Sequence, residues 1–433
     1  MIPKPSRAAA TLGGIMFAAQ CFGSPQDFQF NKLDLRLLDD VNILDRHLDD
    51  NGFVYADRET NSYIQAFAAR LLGGKPVPER VQYHVRVLRD ATVEAFGFPN
   101  GSIYISTGML SALETEGQMV LILAREIAHV ADRHQYLTNR VARNRATLGY
   151  AAAAADPLFG YFIIQSLAGR WVYGNGYSRG MENEADRDGL DMTTAAGYDA
   201  QSAVHAFELL EERLEPELPD TPYRSHENLE KRIGSMRVLI ASTPSSGRGA
   251  ATDSDYLAHV ANAVCYNIGA DLESRRVRTA LARAERLVNW KPDRPEYTVL
   301  LADAYRGLGA KTSAPTKEEL SFGGGYDRRQ LLRLTPEEEQ AKLLAKRGGP
   351  DVMKANEAAA EKLYLDAIAR QPSLPAAHRG LGMLYQMESR NEDAAREFRR
   401  YLELAPADAV DRLRVQRRLA QLDKIREQPS EKR

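Results

Sequence analysis

The residues best placed to do chemistry in this chain are Arg125, Glu126 and His129, within Leu123-Ala124-Arg125-Glu126-Ile127-Ala128-His129. On a helix, positions 125 and 129 lie one turn apart on a common face. Two histidines at that spacing, with a glutamate beside the first, bind zinc and activate its water. Here the glutamate and the second histidine are present, but Arg125 stands at the first ligand position. A guanidinium has no lone pair for a metal. An E-x-x-H alone also occurs where a solvated charge neighbours a core histidine, so the remaining donors decide the reading.

Two further elements supply such donors. Glu182 and Asp186 fall one turn apart in Glu182-Asn183-Glu184-Ala185-Asp186. A glutamate on a separate helix is a common third zinc ligand, and an acid one turn on can orient a ligand imidazole. Farther along, Ser225-His226 precedes Arg232-Ile233. His134, five residues after His129, is expected to point elsewhere and to pack or lie on the helix surface. His47, His84, His205, His259 and His378 lack ligand spacing.

In this order the elements resemble the metallopeptidase family of the CAAX prenyl protease and the heat-shock peptidase HtpX. The likeness is greatest to its soluble, exported, tetratricopeptide-tailed members, such as the β-barrel assembly-enhancing protease. Ala95-Phe96, Pro99-Asn100-Gly101-Ser102, Thr107-Gly108-Met109-Leu110 and Arg133-His134 fit the same family. The resemblance covers about residues 60–240. It implies one zinc ion, with Glu126 as general base and His129, Glu182 and His226 as ligands. Asp186 and Arg232 stand behind them, and His226 matches a loop histidine that caps the open site. It also implies protein substrates or clients held by the cleft and a repeat array, outer-membrane assembly components among them. The chain departs from the family at Arg125, at Glu94 (usually asparagine) and at Glu227 (usually proline).

Arg125 leaves two readings open. In one, proteolysis is reduced or abolished. The guanidinium opposes a cation at 4 Å by roughly 4 kcal/mol at an effective dielectric near 20, and pairs with Glu182 or Glu126. In the other, Arg125 swings away and His129, Glu182 and His226 hold a catalytic zinc. A third possibility is a non-catalytic scaffold or adaptor whose working part is the repeat array.

The elements that must position these residues follow from periodicity and punctuation. Residues 33–75 read as helical, with Leu35, Leu38, Val41, Leu44 and Leu48 at three- and four-residue steps. Val81, Tyr83, Val85, Val87, Ile103 and Ile105 alternate as strands, and Phe98-Pro99-Asn100-Gly101 reads as a turn. One long helix is expected from about Leu110 to Arg145, and another over Glu182–Ala196, stopping at Gly197. The apolar stretch Leu158–Val172 reads as a hairpin packed on its own domain, with a membrane contact or a cover over the cleft as the alternatives.

After Ser242-Thr243-Pro244-Ser245-Ser246-Gly247, the chain is nearly all helical. Leu381, Gly382, Tyr385, Ala394, Phe398 and Pro406 match a tetratricopeptide repeat of about 34 residues. Ala360, Tyr364 and Pro372 belong to its neighbour. The expected fold class is therefore α+β: a mostly helical zincin-like peptidase domain with a small sheet, followed by an all-α tetratricopeptide domain. The divisions are a signal segment at 1–24, the peptidase-like domain at 25–240, a linker at 241–254 and the repeats at 255–425.

Composition narrows the setting. A net charge of −2 across 433 residues offers no electrostatic case for nucleic acid. Lys4 and Arg7 followed by uncharged Ala8–Ala19 read as an export signal, hence a periplasmic or exported protein. A lipid-bearing Cys21 is the lesser alternative. Membrane contact is not required, and the two cysteines, Cys21 and Cys265, do not fix the redox compartment.

Overall fold

A computed structural model describes residues 28–72, 77–142, 177–213, 226–241, 253–309 and 349–427. The expected signal segment, the 158–172 hairpin and most of the linker lie outside these residues. α1 (Lys32–Asp50) and α2 (Arg58–Leu72) occupy the region expected to be helical. A box between Asn31 and Asp34 starts α1, and its stripe Leu37, Val41, Leu44 and Leu48 is buried. Asn51 caps its end and Gly52 turns the chain with φ +71, so the helix cannot continue.

Three strands follow: β1 (His84–Leu88), β2 (Ala95–Gly97) and β3 (Ser102–Ser106). β3 lies in the middle, parallel to β1 and antiparallel to β2. Its side chains alternate between faces. Ile103 and Ile105 enter the main core, while Tyr104 joins Leu37, Val41 and Phe96 in a smaller core under α1.

The long helix expected from Leu110 to Arg145 is three: α3 (Thr107–Ala112), α4 (Glu116–Ala131) and α5 (His134–Ala142). Thr115 and Gln118 form a capping box that starts α4 afresh. Its end is set by Arg133, which adopts φ +59. That conformation is rare for a non-glycine residue and closes a helix. Arg133 is buried, its guanidinium 5.1 Å and 5.0 Å from the ring centres of Phe28 and Phe30.

α6 (Arg179–Ala195), α7 (Ala200–Arg213) and α8 (His226–Ala241) complete the region. Ser178 caps α6, and Gly197, at φ +90, turns the chain after it as the punctuation suggested. α4 is buried over nearly its whole length, running along α6 with β2 beside it.

Beyond lie α9 (Asp253–Glu273), α10 (Val277–Trp290), α11 (Pro295–Gly309), α12 (Gly349–Arg370), α13 (Pro375–Met387), α14 (Asn391–Leu404) and α15 (Arg412–Glu427). α9 is built into the first region. The Tyr256 hydroxyl donates to the Leu110 carbonyl at 2.8 Å, and Thr107 Oγ1 donates to Asn267 Oδ1 at 3.0 Å. Tyr256, Val260, Ala280 and Leu301 share the core of Ile105 and Ile122, so α9–α11 extend that core. A second core joins Ala302, Tyr364, Leu381, Phe398 and Val415 across α11–α15. The fold is thus mostly helical with a small sheet. No helix of the described residues is long and apolar enough to cross a membrane.

Candidate functional site

The site forms where α4 meets α6. Gly189 makes the close approach possible: a Cβ there would lie 2.8 Å from Arg125 Cγ and 3.1 Å from Arg125 N. The helices therefore touch backbone to backbone at position 125, placing the acids of α6 around the Arg125 side chain.

Arg125 is buried and bonded on several sides. Its Nε donates to Asp186 Oδ1 at 2.5 Å and its Nη2 to Glu182 Oε2 at 2.8 Å. Nη1 lies 3.5 Å from Glu126 Oε1, and the guanidinium carbon is 5.7 Å from the Phe207 ring centre. Asp186 is as enclosed as Arg125, whereas the Glu182 side chain is 27% exposed. One arginine thus binds all three acids that the motif reading selected. Planar, multidentate and always charged, it suits that task better than lysine.

His129 sits one turn along, its Nε2 4.0 Å from the same Glu182 oxygen. Its Nδ1 is 2.9 Å from Nδ1 of His134, and His134 Nε2 is 3.4 Å from Glu184 Oε2. For neutral rings, one assignment of protons satisfies both contacts. His129 Nδ1–H donates to His134, and His134 Nε2–H donates to Glu184. The reverse would aim a lone pair at a carboxylate. His129 Nε2 then bears no proton, and at 4.0 Å from Glu182 Oε2 it makes no hydrogen bond to that carboxylate. Burial lowers the pKa of His134 against the opposing pull of Glu184, which favours the neutral ring.

His134 therefore corrects the expectation that it points elsewhere. The helix ends at Ala131, and the left-handed Arg133 swings His134 back against His129. Counting five residues along an unbroken helix misses this. The pair Arg133-His134 was visible as a family feature, but its role depends on the turn.

Sequence reasoning also missed Tyr177. Its ring stacks on His129, with centroids 3.9 Å apart and planes at 17°. Burial, then the Glu126 and Glu182 carboxylates, push its phenol far above the ordinary value and keep it protonated. No spacing signal marks it; contact with His129 identifies it.

β2 borders the site. Gln135 Nε2 donates to the Gly97 carbonyl at 3.1 Å, fixing the strand against the turn after α4. Glu94, just before β2, is half-buried, and burial followed by Asp90 pushes its carboxyl up to about 8. At neutral pH it is mostly uncharged, which reconciles it with a position expected to hold asparagine. Unfolding releases that carboxyl to its ordinary range near 4.5. Between about pH 4.5 and pH 8 the folded state binds the extra proton, so stability falls as pH rises. Glu94→Gln is expected to gain about 4 kcal/mol over the native chain by pH 8, and nothing near pH 4. Urea unfolding from pH 4 to 9 tests this; a gain that is independent of pH would refute the assignment.

His226 and Arg232 both fall on α8, but their side chains lie outside the described residues. Among the described residues, no group of three histidine, cysteine or acidic side chains is arranged to hold a metal.

Residues 58–240 match peptidase family M48. Similar proteins include a Vibrio cholerae homologue of the beta-barrel assembly-enhancing protease, 28% identical over 208 residues, or 46% of this chain and 43% of that protein. The mitochondrial metalloendopeptidase OMA1 of Schizosaccharomyces pombe is 28% identical over 157 residues, 35% of this chain and 44% of that protein. The beta-barrel assembly-enhancing protease of Escherichia coli is 24% identical over 184 residues, 40% and 38% of the two chains. The chain spans less than half the length of each of these relatives.

Proposed function

We propose, from the match of residues 58–240 to peptidase family M48, a metallopeptidase relative with reduced or abolished proteolysis that binds polypeptide clients of the cell envelope. The family implies a metal, typically zinc. The observation that carries the reading is the engagement of Arg125 with Asp186 and Glu182 at 2.5 Å and 2.8 Å. The described donors do not fit a zinc ion. Two ligand positions, His129 and Glu182, remain, while the third holds a cation that bonds Glu182 and stands beside Glu126. A metal there would have to displace the guanidinium from acids that burial makes it costly to leave unpaired.

What the residues can do without a metal is bind. The fixed edge strand β2, the enclosed α4–α6 pair and Tyr177 over His129 retain the outline of a peptidase cleft. The array α9–α15 is read as tetratricopeptide-like helices that hold a partner, and the names of the relatives suggest outer-membrane assembly as the setting. In this reading the protein is exported or periplasmic, which Lys4 and Arg7 ahead of the uncharged Ala8–Ala19 support.

Zinc analysis and casein proteolysis on the purified chain test the proposal. Well under one zinc per chain is expected, with no cleavage that Glu126→Gln removes. Stoichiometric zinc that disappears in His226→Ala would instead establish a rebuilt site of His129, Glu182 and His226.

A further inference from the structure

The helices beyond the site carry an uneven distribution of charge. On α14, Arg396 pairs with Asp393 at 2.7 Å, Arg399 with Asp423 at 2.6 Å and Arg400 with Glu403 at 2.9 Å. Those arginines form an ordinary compensated surface. The face shared by α11, α13 and α15 differs. Arg418 on α15 donates to the amide oxygen of Gln386 on α13 at 2.7 Å. Its electrostatic neighbours are two further arginines, Arg306 on α11 and Arg414 one turn earlier on α15. Burial and then these like charges hold its guanidinium below the ordinary value.

Among the described residues, no acid pairs with Arg414 or Arg418. The acids nearby are already engaged: Asp303 with Arg306 at 2.8 Å, and Asp411 with Arg379. Four arginines thus face two aspartates. Arg418 is half-buried and fixed by Gln386, and Arg414 is exposed beside it. A fixed guanidinium with an uncompensated neighbour is suited to a carboxylate, which it can grip with paired hydrogen bonds.

We propose that the face shared by α11, α13 and α15 docks an acidic segment of a partner polypeptide, with Arg414 and Arg418 as its anchors. The ligand class follows from charge complementarity. Two spare cations suit one or two carboxylates, while a nucleic acid would draw on a longer row of unpaired cations than these two. The surface stands apart from α4 and α6 and holds whether or not that site hydrolyses peptides.

Fluorescence anisotropy with the full chain tests the surface, using a labelled peptide of alternating Glu and Gly and its Gln–Gly counterpart. The acidic peptide is expected to bind at low salt and the neutral one not. Arg414→Gln combined with Arg418→Gln should weaken binding about ten-fold. Arg396→Gln with Arg400→Gln removes the same charge from α14 and should leave binding within about two-fold. If Arg418→Gln disturbs folding by circular dichroism, the exposed Arg414→Gln decides alone, with a loss of about three-fold expected. The proposal is overturned if the acidic peptide does not bind, if the neutral peptide binds equally, or if the α14 pair matters as much. It is also overturned if poly-uridine or phosphatidylglycerol vesicles compete for these arginines in preference to the peptide. Zinc content and casein cleavage should not change in the α15 variants, which separates this test from that of the cleft.

Discussion

Arg125→Leu is expected to lower the stability of the folded chain by roughly 3–5 kcal/mol. Leucine keeps an apolar side chain beside Phe207. The cost lies in the acids left behind. Asp186 is 2% exposed and bonded through Arg125 Nε at 2.5 Å, and Glu126 is 5% exposed at 3.5 Å from Nη1. Removing the cation takes a charged partner from each of two enclosed carboxylates, with Glu182 nearby and better solvated. Urea unfolding at pH 7 reads the loss directly. Much of it should disappear toward pH 4, where these acids take up protons in the folded variant. Asp186→Leu added to Arg125→Leu should recover part of the loss, because an ion pair replaced on both sides costs less than one broken on one side. A loss below about 1 kcal/mol would mean that Arg125 is not the cation that neutralises this site.

The larger functional effect is expected from Arg125→His: from well under one zinc per chain to about one. Three features favour the gain. Asp186 already reaches the side chain at position 125, where it would hold an imidazole in place. His129 is oriented through His134, with its Nε2 aimed toward Glu182. Glu182 loses its guanidinium partner and recovers a free carboxylate. Metal analysis after dialysis, with a melting temperature that falls on chelation, measures the change. Casein cleavage abolished by Glu126→Gln would show that the cleft still admits substrate. Absence of zinc from the substituted chain would place the fault in the α4–α6 spacing. A full complement in the unsubstituted chain would remove the basis for the guanidinium reading.

Much of this arrangement was legible in the sequence. The helical spacing of residues 125 and 129, the acids one turn apart at 182 and 186, and the alternation of β3 are local patterns. Backbone geometry converts them into faces without help from the rest of the molecule. The helix end at Gly197 was legible for the same reason. Local breaks that rest on side-chain geometry were harder. Thr115 caps α4 through Gln118, and Arg133 takes a conformation that its residue type rarely adopts, so one expected helix became three. His134 was misjudged because its direction depends on that break.

By itself, then, the sequence determined which chemistry is on offer: an arginine where a zinc ligand is expected, a retained glutamate and histidine, and two acids on a second helix. The tertiary structure alone decided how they share it. Whether Arg125 turns away or binds the acids depends on the distance between α4 and α6, which Gly189 sets through contact between elements far apart in the chain. The stacking of Tyr177 on His129 and the relay from His129 to Glu184 have the same origin. Such contacts follow from packing, and no period or motif in the sequence encodes them.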